Sequence, residues 1–451
     1  MSTPQATDAT PLLTKKPTTA LPKFQLFILL WVQLAEPITS QVIYPFINKL
    51  VAELPITGGD ETKVGYYAGL IESLFFAAEA ITVLQWSRYS DHVGRKPVIL
   101  TGLFGLTLSI ISFGLSKSFW GLVIRCGAPN TSHDGGSCSH GCMGSRCLSG
   151  LLNGNVGVLK SMMGELTDSS NIAQGMALVP IVWNSGATVG WVHIFFDRRH
   201  TVKFDHTKSS TPTTEQEGSP TPGHVPMPLP IREVLTPRVI IAVANYASIA
   251  FLDIALRALQ PLFYTSRIQY GGLGFTPAVV GTCLGAFFIF SGVYQAFVFP
   301  LVYERMGTKN AFVTSVLMFV PMFALFPLMN LSARHNGVNV VTWIELALQL
   351  ILYVVMDMGF SCAPIYVCSA APNRQSLGAT NGLAQTGASV LRTIGPIAST
   401  SLYAVSVQKN IAGGWFVYIV LVFLSALALY ATTYLPRTLW EPEGDDERVE
   451  E

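Results

Sequence analysis

Charge is what this sequence has least of. Only 12% of its 451 residues are Asp, Glu, Lys or Arg, against about 25% in an ordinary soluble domain, which excludes a water-exposed globular surface over most of the chain. The charges also nearly cancel, 28 basic against 27 acidic, so there is no basic field for a nucleic-acid partner. Seven cysteines in so long a chain make no disulfide scaffold. The eight histidines (His92, His133, His140, His193, His200, His206, His224 and His335) lie in loops or at the ends of apolar stretches, and none forms a paired motif within one. Metal-dependent membrane oxidases need clustered histidines, so an enzyme of that kind is excluded and no cofactor or resident metal is expected. A secretory leader is missing as well. Residues 1–22 are polar and carry Lys15 and Lys16, so the first apolar segment is expected to be a retained helix.

What is abundant is apolar. Half the residues are hydrophobic and the mean hydropathy is +0.43. A helix that crosses a bilayer needs about 20 mostly apolar residues. Such stretches fall near 24–46, 65–86, 97–119, 147–164, 174–196, 239–264, 277–302, 310–330, 340–367, 379–404 and 414–435, eleven in all. The predicted fold is therefore an all-α, multi-pass membrane protein. Residues 197–236 are rich in Ser, Thr, Pro and charge, cannot bury a core, and read as a disordered linker. The expected organisation is a cytoplasmic tail (1–23), an N-terminal bundle (24–196), the linker (197–236), a six-helix C-terminal bundle (237–436) and an acidic tail (437–451).

The most informative segment is Ser87-Arg-Tyr-Ser-Asp-His-Val-Gly-Arg-Lys-Pro97, a basic loop between two membrane-length stretches. Gly94 permits a tight reversal, Asp91 can face a helix N-terminus, and Arg95 and Lys96 hold the loop on the cytoplasmic side. The loop resembles the signature of the major facilitator superfamily, with Ser87 in place of the first glycine and His92 in place of the usual Arg. The halves also look related. Gly69 is followed six residues later by Phe75-Phe76 and then by Gly94; Gly281 is followed six residues later by Phe287-Phe288 and then by Gly307. Parallel repeats of this kind are expected of the two halves of a facilitator.

Two further regions carry the resemblance. Arg146-Cys-Leu-Ser-Gly-Leu-Leu-Asn-Gly-Asn155, which includes Asn153 and Gly154, is similar to the fourth-helix region of fungal and plant members of the drug:proton antiporter group. Asn381-Gly-Leu-Ala-Gln385 and Arg392-Thr-Ile-Gly-Pro396, with Gly395, are similar to their eleventh helix. Within that group the run resembles exporters of fungal secondary metabolites, psilocybin-cluster transporters among them. The resemblance implies two related bundles that alternate access to a substrate.

The pattern breaks in two places. The family has twelve helices, but after Gly186-Ala-Thr-Val-Gly190 come Trp191 and the charged Asp197-Arg-Arg-His200, with no sixth apolar stretch. Lys15, Lys16 and Lys23 place the N-terminus inside, whereas Arg305, Lys309 and Arg374 orient the second half like the first, so one crossing is missing. Residues 127–145, between the repeated dipeptides Arg125-Cys126 and Arg146-Cys147, are Gly-rich and polar and read as an inserted or retained-intron stretch. Its Cys138-Ser-His-Gly-Cys142 and His133 have ligand types that suit zinc, but Cys-x-x-x-Cys alone makes no site. Asn130-Thr-Ser132 and Asn330-Leu-Ser332 are sequons, which makes Asn130 and Asn330 glycosylation candidates.

Ionisable groups at membrane depth are costly and so are functional candidates. Glu36 lies mid-helix beside Pro37, and Glu72 and Glu79 lie seven apart, on one helical face. With Asp253 these are the candidate proton carriers, because burial can bring a carboxyl into the range where it loads and releases a proton. Arg257, four residues after Asp253, can pair with it; Asp357 and Arg392 are further charges within the last spans. The resulting expectation is a monomeric, lipid-embedded secondary transporter that exports a small organic molecule, a drug or secondary metabolite, against protons. The alternatives are a transport-incompetent or altered product lacking helix six and an uptake carrier for a small nutrient. Asp8-Ala-Thr-Pro-Leu-Leu13 fits an acidic dileucine sorting pattern; the destination is a plasma or vacuolar membrane.

Overall fold

The computed structural model describes residues 21–41, 61–114, 145–167, 171–196, 231–373 and 376–440. The 127–144 part of the insert, most of the 197–236 linker, Asn130 and nearly all of both tails lie outside the described residues. Among those residues the structure is helical and has no strand. In the first half the helices are α1 (Lys23–Gln41), α2 (Glu61–Val93), α3 (Arg95–Gly114), α4 (Ser145–Leu152), α5 (Asn155–Leu166) and α6 (Ile172–Phe196). In the second they are α7 (Pro237–Thr265), α8 (Pro277–Val293), α9 (Phe299–Leu317), α10 (Phe319–Asn336), α11 (Val340–Asp357), α12 (Gly359–Ala370), α13 (Leu377–Gln408) and α14 (Phe416–Ala431).

Among the described residues, four continuous helical stretches are both long and apolar enough to cross a membrane: Pro237–Thr265, Ala278–Asn336, Val340–Ala370 and Phe416–Tyr434. The second has 59 residues, enough for two crossings at about 20 residues each. It reverses at Gly307, whose φ of 73° only a residue without a Cβ adopts readily. Gly94 reverses the chain between α2 and α3 in the same way, with φ 99°. α13, with 32 residues, is long enough to cross but carries Asn381, Gln385 and Ser389, all buried. Its polar side chains face protein.

The face they meet is α2. The two helices run antiparallel in contact from end to end: Gly69 against Pro396 and Thr400, Glu79 against Gln385 and Ser389, Ser87 against Gly382, and Asp91 against Gly378. A side chain on Gly382 would overlap Ser87, and one on Gly378 would overlap the Asp91 carboxylate. Small residues bring backbones close where packing, not water, drives helix association, and α2 and α13 use them to join the first half to the second. A second seam joins α6 to α8, where Asn184 meets Ser291. Gly186 of α6 packs on Pro37 of α1. Elsewhere the second half is held by aromatics: Phe326 stacks on Tyr418 at 4.9 Å and meets Phe263 edge-on at 4.9 Å, a geometry ring quadrupoles favour.

Candidate functional site

At one end of the α2–α13 seam is the charged turn. α2 has 33 residues, about 50 Å at 1.5 Å per residue, so its last turns extend beyond a hydrocarbon core of about 30 Å. Arg95, at the start of α3, donates to Asp91 Oδ1 at 2.5 Å, to Ser90 Oγ at 2.6 Å and to Glu165 Oε1 at 2.5 Å. One guanidinium thus ties the end of α2 to α5, using its fork of donors. Asp91 also lies against Gly378, in the first turn of α13, where a helix N-terminus favours negative charge. Burial is the largest influence on Asp91 and raises its pKa from the ordinary carboxylate value, against the pull of Arg95. Burial also opposes the charged form of Arg95, but Glu165 and Asp91 outweigh it and raise its pKa. Lys96 is exposed.

Between the halves is a cavity of about 1040 Å3, counting its open mouth, lined by Glu36, Glu79, Lys160, Asp253, Arg257, Asp357 and Arg392 together with Phe75, Phe76, Trp183, Tyr246 and Phe360. Its carboxylates are all supplied with donors. Glu79 accepts from Asn153 at 3.4 Å, Gln385 at 3.3 Å and Ser389 at 3.0 Å. The same Asn153 amide reaches Glu36 at 3.3 Å. Asp253 is gripped by Arg257 Nε at 2.8 Å and by the Tyr353 hydroxyl at 3.1 Å. Asp357 accepts from Asn184 at 2.9 Å and Ser291 at 2.6 Å. Lys160 donates to the Tyr246 hydroxyl at 2.6 Å and to Gln385 at 3.2 Å.

Two of these groups are built alike. Glu79 is a carboxylate ringed by the Asn153 amide and the Ser389 hydroxyl, and Asp357 one ringed by the Asn184 amide and the Ser291 hydroxyl; amide and hydroxyl bond each other only in the second. Ser291 stands ten residues after Gly281, as Glu79 stands ten after Gly69. Each ring draws on the second and fourth membrane-length helices of one half and the fifth of the other. The fourth helix breaks at the ring both times, at Asn153-Gly154 between α4 and α5 and at Met358 between α11 and α12. A duplicated architecture is what these positions describe.

No family model matches the chain. Known proteins do. The efflux pump azaK of Aspergillus niger is 25% identical over 435 residues, covering 91% of this chain and 88% of the pump. The major facilitator-type transporter psiT2 of Psilocybe cyanescens is 23% identical over 93% of this chain and 91% of its own. The solved structure of the human organic anion transporter MFSD10 superposes with a TM-score of 0.64 at 17% identity, covering 92% of this chain and 100% of that one. The relatives this chain matches over nearly its whole length are major facilitator transporters. Its relatives are multi-pass membrane transporters, not enzymes, and it is a transporter embedded in a membrane.

At the charged turn Asp91 and Arg95 pair across Gly94. Glu36, Glu79, Asp253, Arg257, Asp357 and Arg392 converge on one cavity. Glu72 is buried but does not line it. Asn153 is the amide shared by two carboxylates; Gly154 sits under Trp86; Asn155 is buried beside Gly102; Gly395 packs on Ile254 of α7, and Pro396 on Gly69. The Arg146 side chain lies outside the described residues. One expectation is corrected: Asn330 is no glycan acceptor. It is fully buried, and its amide donates to the carbonyls of Ile268 and Gly272, so no modifying group reaches its nitrogen. Sequence reasoning missed Lys160, Tyr246, Asn184 and Ser291. Lys160 carried a signal, a lone cation in an otherwise apolar helix.

Proposed function

We propose that the chain exports a small organic molecule in exchange for protons, by alternating access of its two halves about the central cavity, as a monomer in a plasma or vacuolar membrane. The observation that carries this reading is Glu79, a buried carboxyl of the first half held by Gln385 and Ser389 of the second. An ionised carboxylate only accepts hydrogen bonds, whereas a protonated one also donates. Gain or loss of one proton therefore changes which partners across the seam can be satisfied, and a group that bonds the halves differently in its two charge states biases their equilibrium. Glu36 shares the Asn153 amide with Glu79 and is the second carrier in this reading; Glu72 and Asp253 are subordinate, Asp253 because Arg257 holds it. The turn at Asp91, Gly94, Arg95 and Lys96 acts as the latch between conformations. Efflux pumps among the relatives support the outward direction.

The test is flux in vesicles reconstituted with the purified chain, using a radiolabelled panel of small aromatic acids, amines and amides under an imposed pH gradient. Gradient-dependent uptake of at least one, abolished by a protonophore, is expected. Flux indifferent to the gradient would overturn the coupling.

A second reading rests on topology. Five membrane-length helical segments precede residue 197 among the described residues: α1, α2, α3, α4–α5 and α6. With the basic residues oriented as above, the half needs a sixth crossing that the described residues do not supply, and on this reading the chain is an altered product unable to transport. Substrate binding without any flux would favour it.

A further inference from the structure

We propose that Arg392 anchors an acidic group of the transported molecule, so that the cargo is an amphipathic organic anion with a flat apolar body; this rests on the transporter reading above. The cavity's unmet chemistry is on the donor side. Its four carboxylates each have a hydrogen-bond donor, Arg257 has Asp253, and Lys160 has two oxygens. Arg392 alone among the three lining cations makes neither an ion pair nor a hydrogen bond with the described residues. Its guanidinium lies 5.8 Å from the centroid of the Phe76 ring, a contact with a π face that leaves its in-plane N–H groups unused.

A guanidinium at membrane depth is costly without acceptors, and Glu79 acts on it through space rather than by contact. Five N–H donors in a planar fork suit a carboxylate, which they engage two at a time. A cationic group would instead compete with the donors that each carboxylate already holds. The walls beside Arg392 and Phe76 include Trp183 and Phe360, apolar and aromatic, as suits the body of such a molecule.

The experiment measures equilibrium binding to the full-length chain in lipid nanodiscs, with no gradient imposed. Three probes share one ring body and carry head groups of similar size but different charge: 1-naphthoate, 1-naphthamide and 1-naphthylmethylammonium. Benzoate, indole-3-acetate and inorganic phosphate are added to separate the acid from its body and from a bare anion. Naphthoate is expected to bind roughly tenfold to a hundredfold more tightly than the amide, as a charged hydrogen-bond pair implies. Arg392→Gln should bring the acid to the level of the amide, with a melting temperature near that of the parent chain showing that the variant is folded; Arg392→Lys should be intermediate. The inference is overturned if acid and amide bind alike, if the ammonium binds best, if none of the three carboxylates binds at millimolar concentration, or if Arg392→Gln keeps the preference for the acid. Because no flux is read, failure of proton coupling leaves this result intact, and failure here leaves coupling untouched.

Discussion

Asp91→Asn isolates the charge of the latch with little change of shape. In the structure Asp91 makes one ion pair, with Arg95, and both side chains are largely shielded, 5% and 16% exposed. The other arm, Arg95 to Glu165, ends on a side chain 43% exposed, and exposed pairs contribute about 0–1 kcal/mol. The buried arm therefore dominates. A hydrogen bond to a charged group contributes about 1.5–3 kcal/mol, and a carboxylate at a helix N-terminus about 0.3–1 kcal/mol. Asparagine keeps an oxygen for Arg95 but loses the charge, so about 2 kcal/mol is a reasonable net loss. Of these contributions only the contact with the start of α13 crosses between the halves; the Arg95 pair lies within the first half. The equilibrium between the halves' two arrangements should then move by about twofold to fivefold away from the one shown, and the rest of the loss falls on the turn's own stability. Spin labels at His92 and Asn373 should report a longer, broader distance distribution, and vesicle uptake should fall by about twofold to fivefold with expression and membrane insertion near normal. Gly378→Ala, which puts a methyl group onto the same carboxylate, should act in the same direction. Undiminished uptake with an unchanged distribution in Asp91→Asn would refute the reasoning.

Glu36→Gln and Glu79→Gln should each abolish uptake driven by a pH gradient while sparing ligand binding; if both variants keep full pH dependence, the carrier lies elsewhere. Arg257→Met leaves Asp253 buried with only the Tyr353 hydroxyl, a loss of about 3–5 kcal/mol for a broken buried pair. It should lower the melting temperature in detergent, and adding Asp253→Asn should recover most of it; no change in either variant would mean that the pair is structurally idle. Cysteines introduced at Ser210 and Met306, in a background without reactive native cysteines, should both label from the cytosol, and an added sixth helix should raise expression. Stable extracellular labelling at Ser210 with active transport would remove the missing-crossing argument.

What the sequence made legible was charge. Glu36, Glu79, Asp253, Arg257, Asp357 and Arg392 stood out because each is an ionisable group in an apolar stretch, and the Asp253–Arg257 pair because i,i+4 residues share a helix face. The partners that complete the site did not stand out. Asn184, Ser291 and Ser389 are small uncharged polar residues, common in crossing helices. Their meaning comes from contacts between residues 107, 173 and 310 positions apart. Asn330 shows the opposite failure: a three-residue pattern identifies an acceptor chemically but is blind to burial. Arg392 was visible as a charge, yet that it pairs with no carboxylate among the described residues depends on how distant helices pack.

The paired rings have one more consequence. Carboxylate, amide and hydroxyl occur in both, but on different members of the helix triplet: the acid sits on the second helix in one ring and on the fourth in the other. Descent from a single ancestral ring would mean that the residues changed places while each acid kept one amide and one hydroxyl donor. What is preserved is then an inventory rather than an address. A one-residue change such as Ser291→Asp or Asn184→Asp would give a ring two acids, and Asp357→Asn would leave it none. The number of ionisable sites bridging the halves could thus drift in single steps without rebuilding the scaffold, which offers duplicated carriers a short route between different ion stoichiometries.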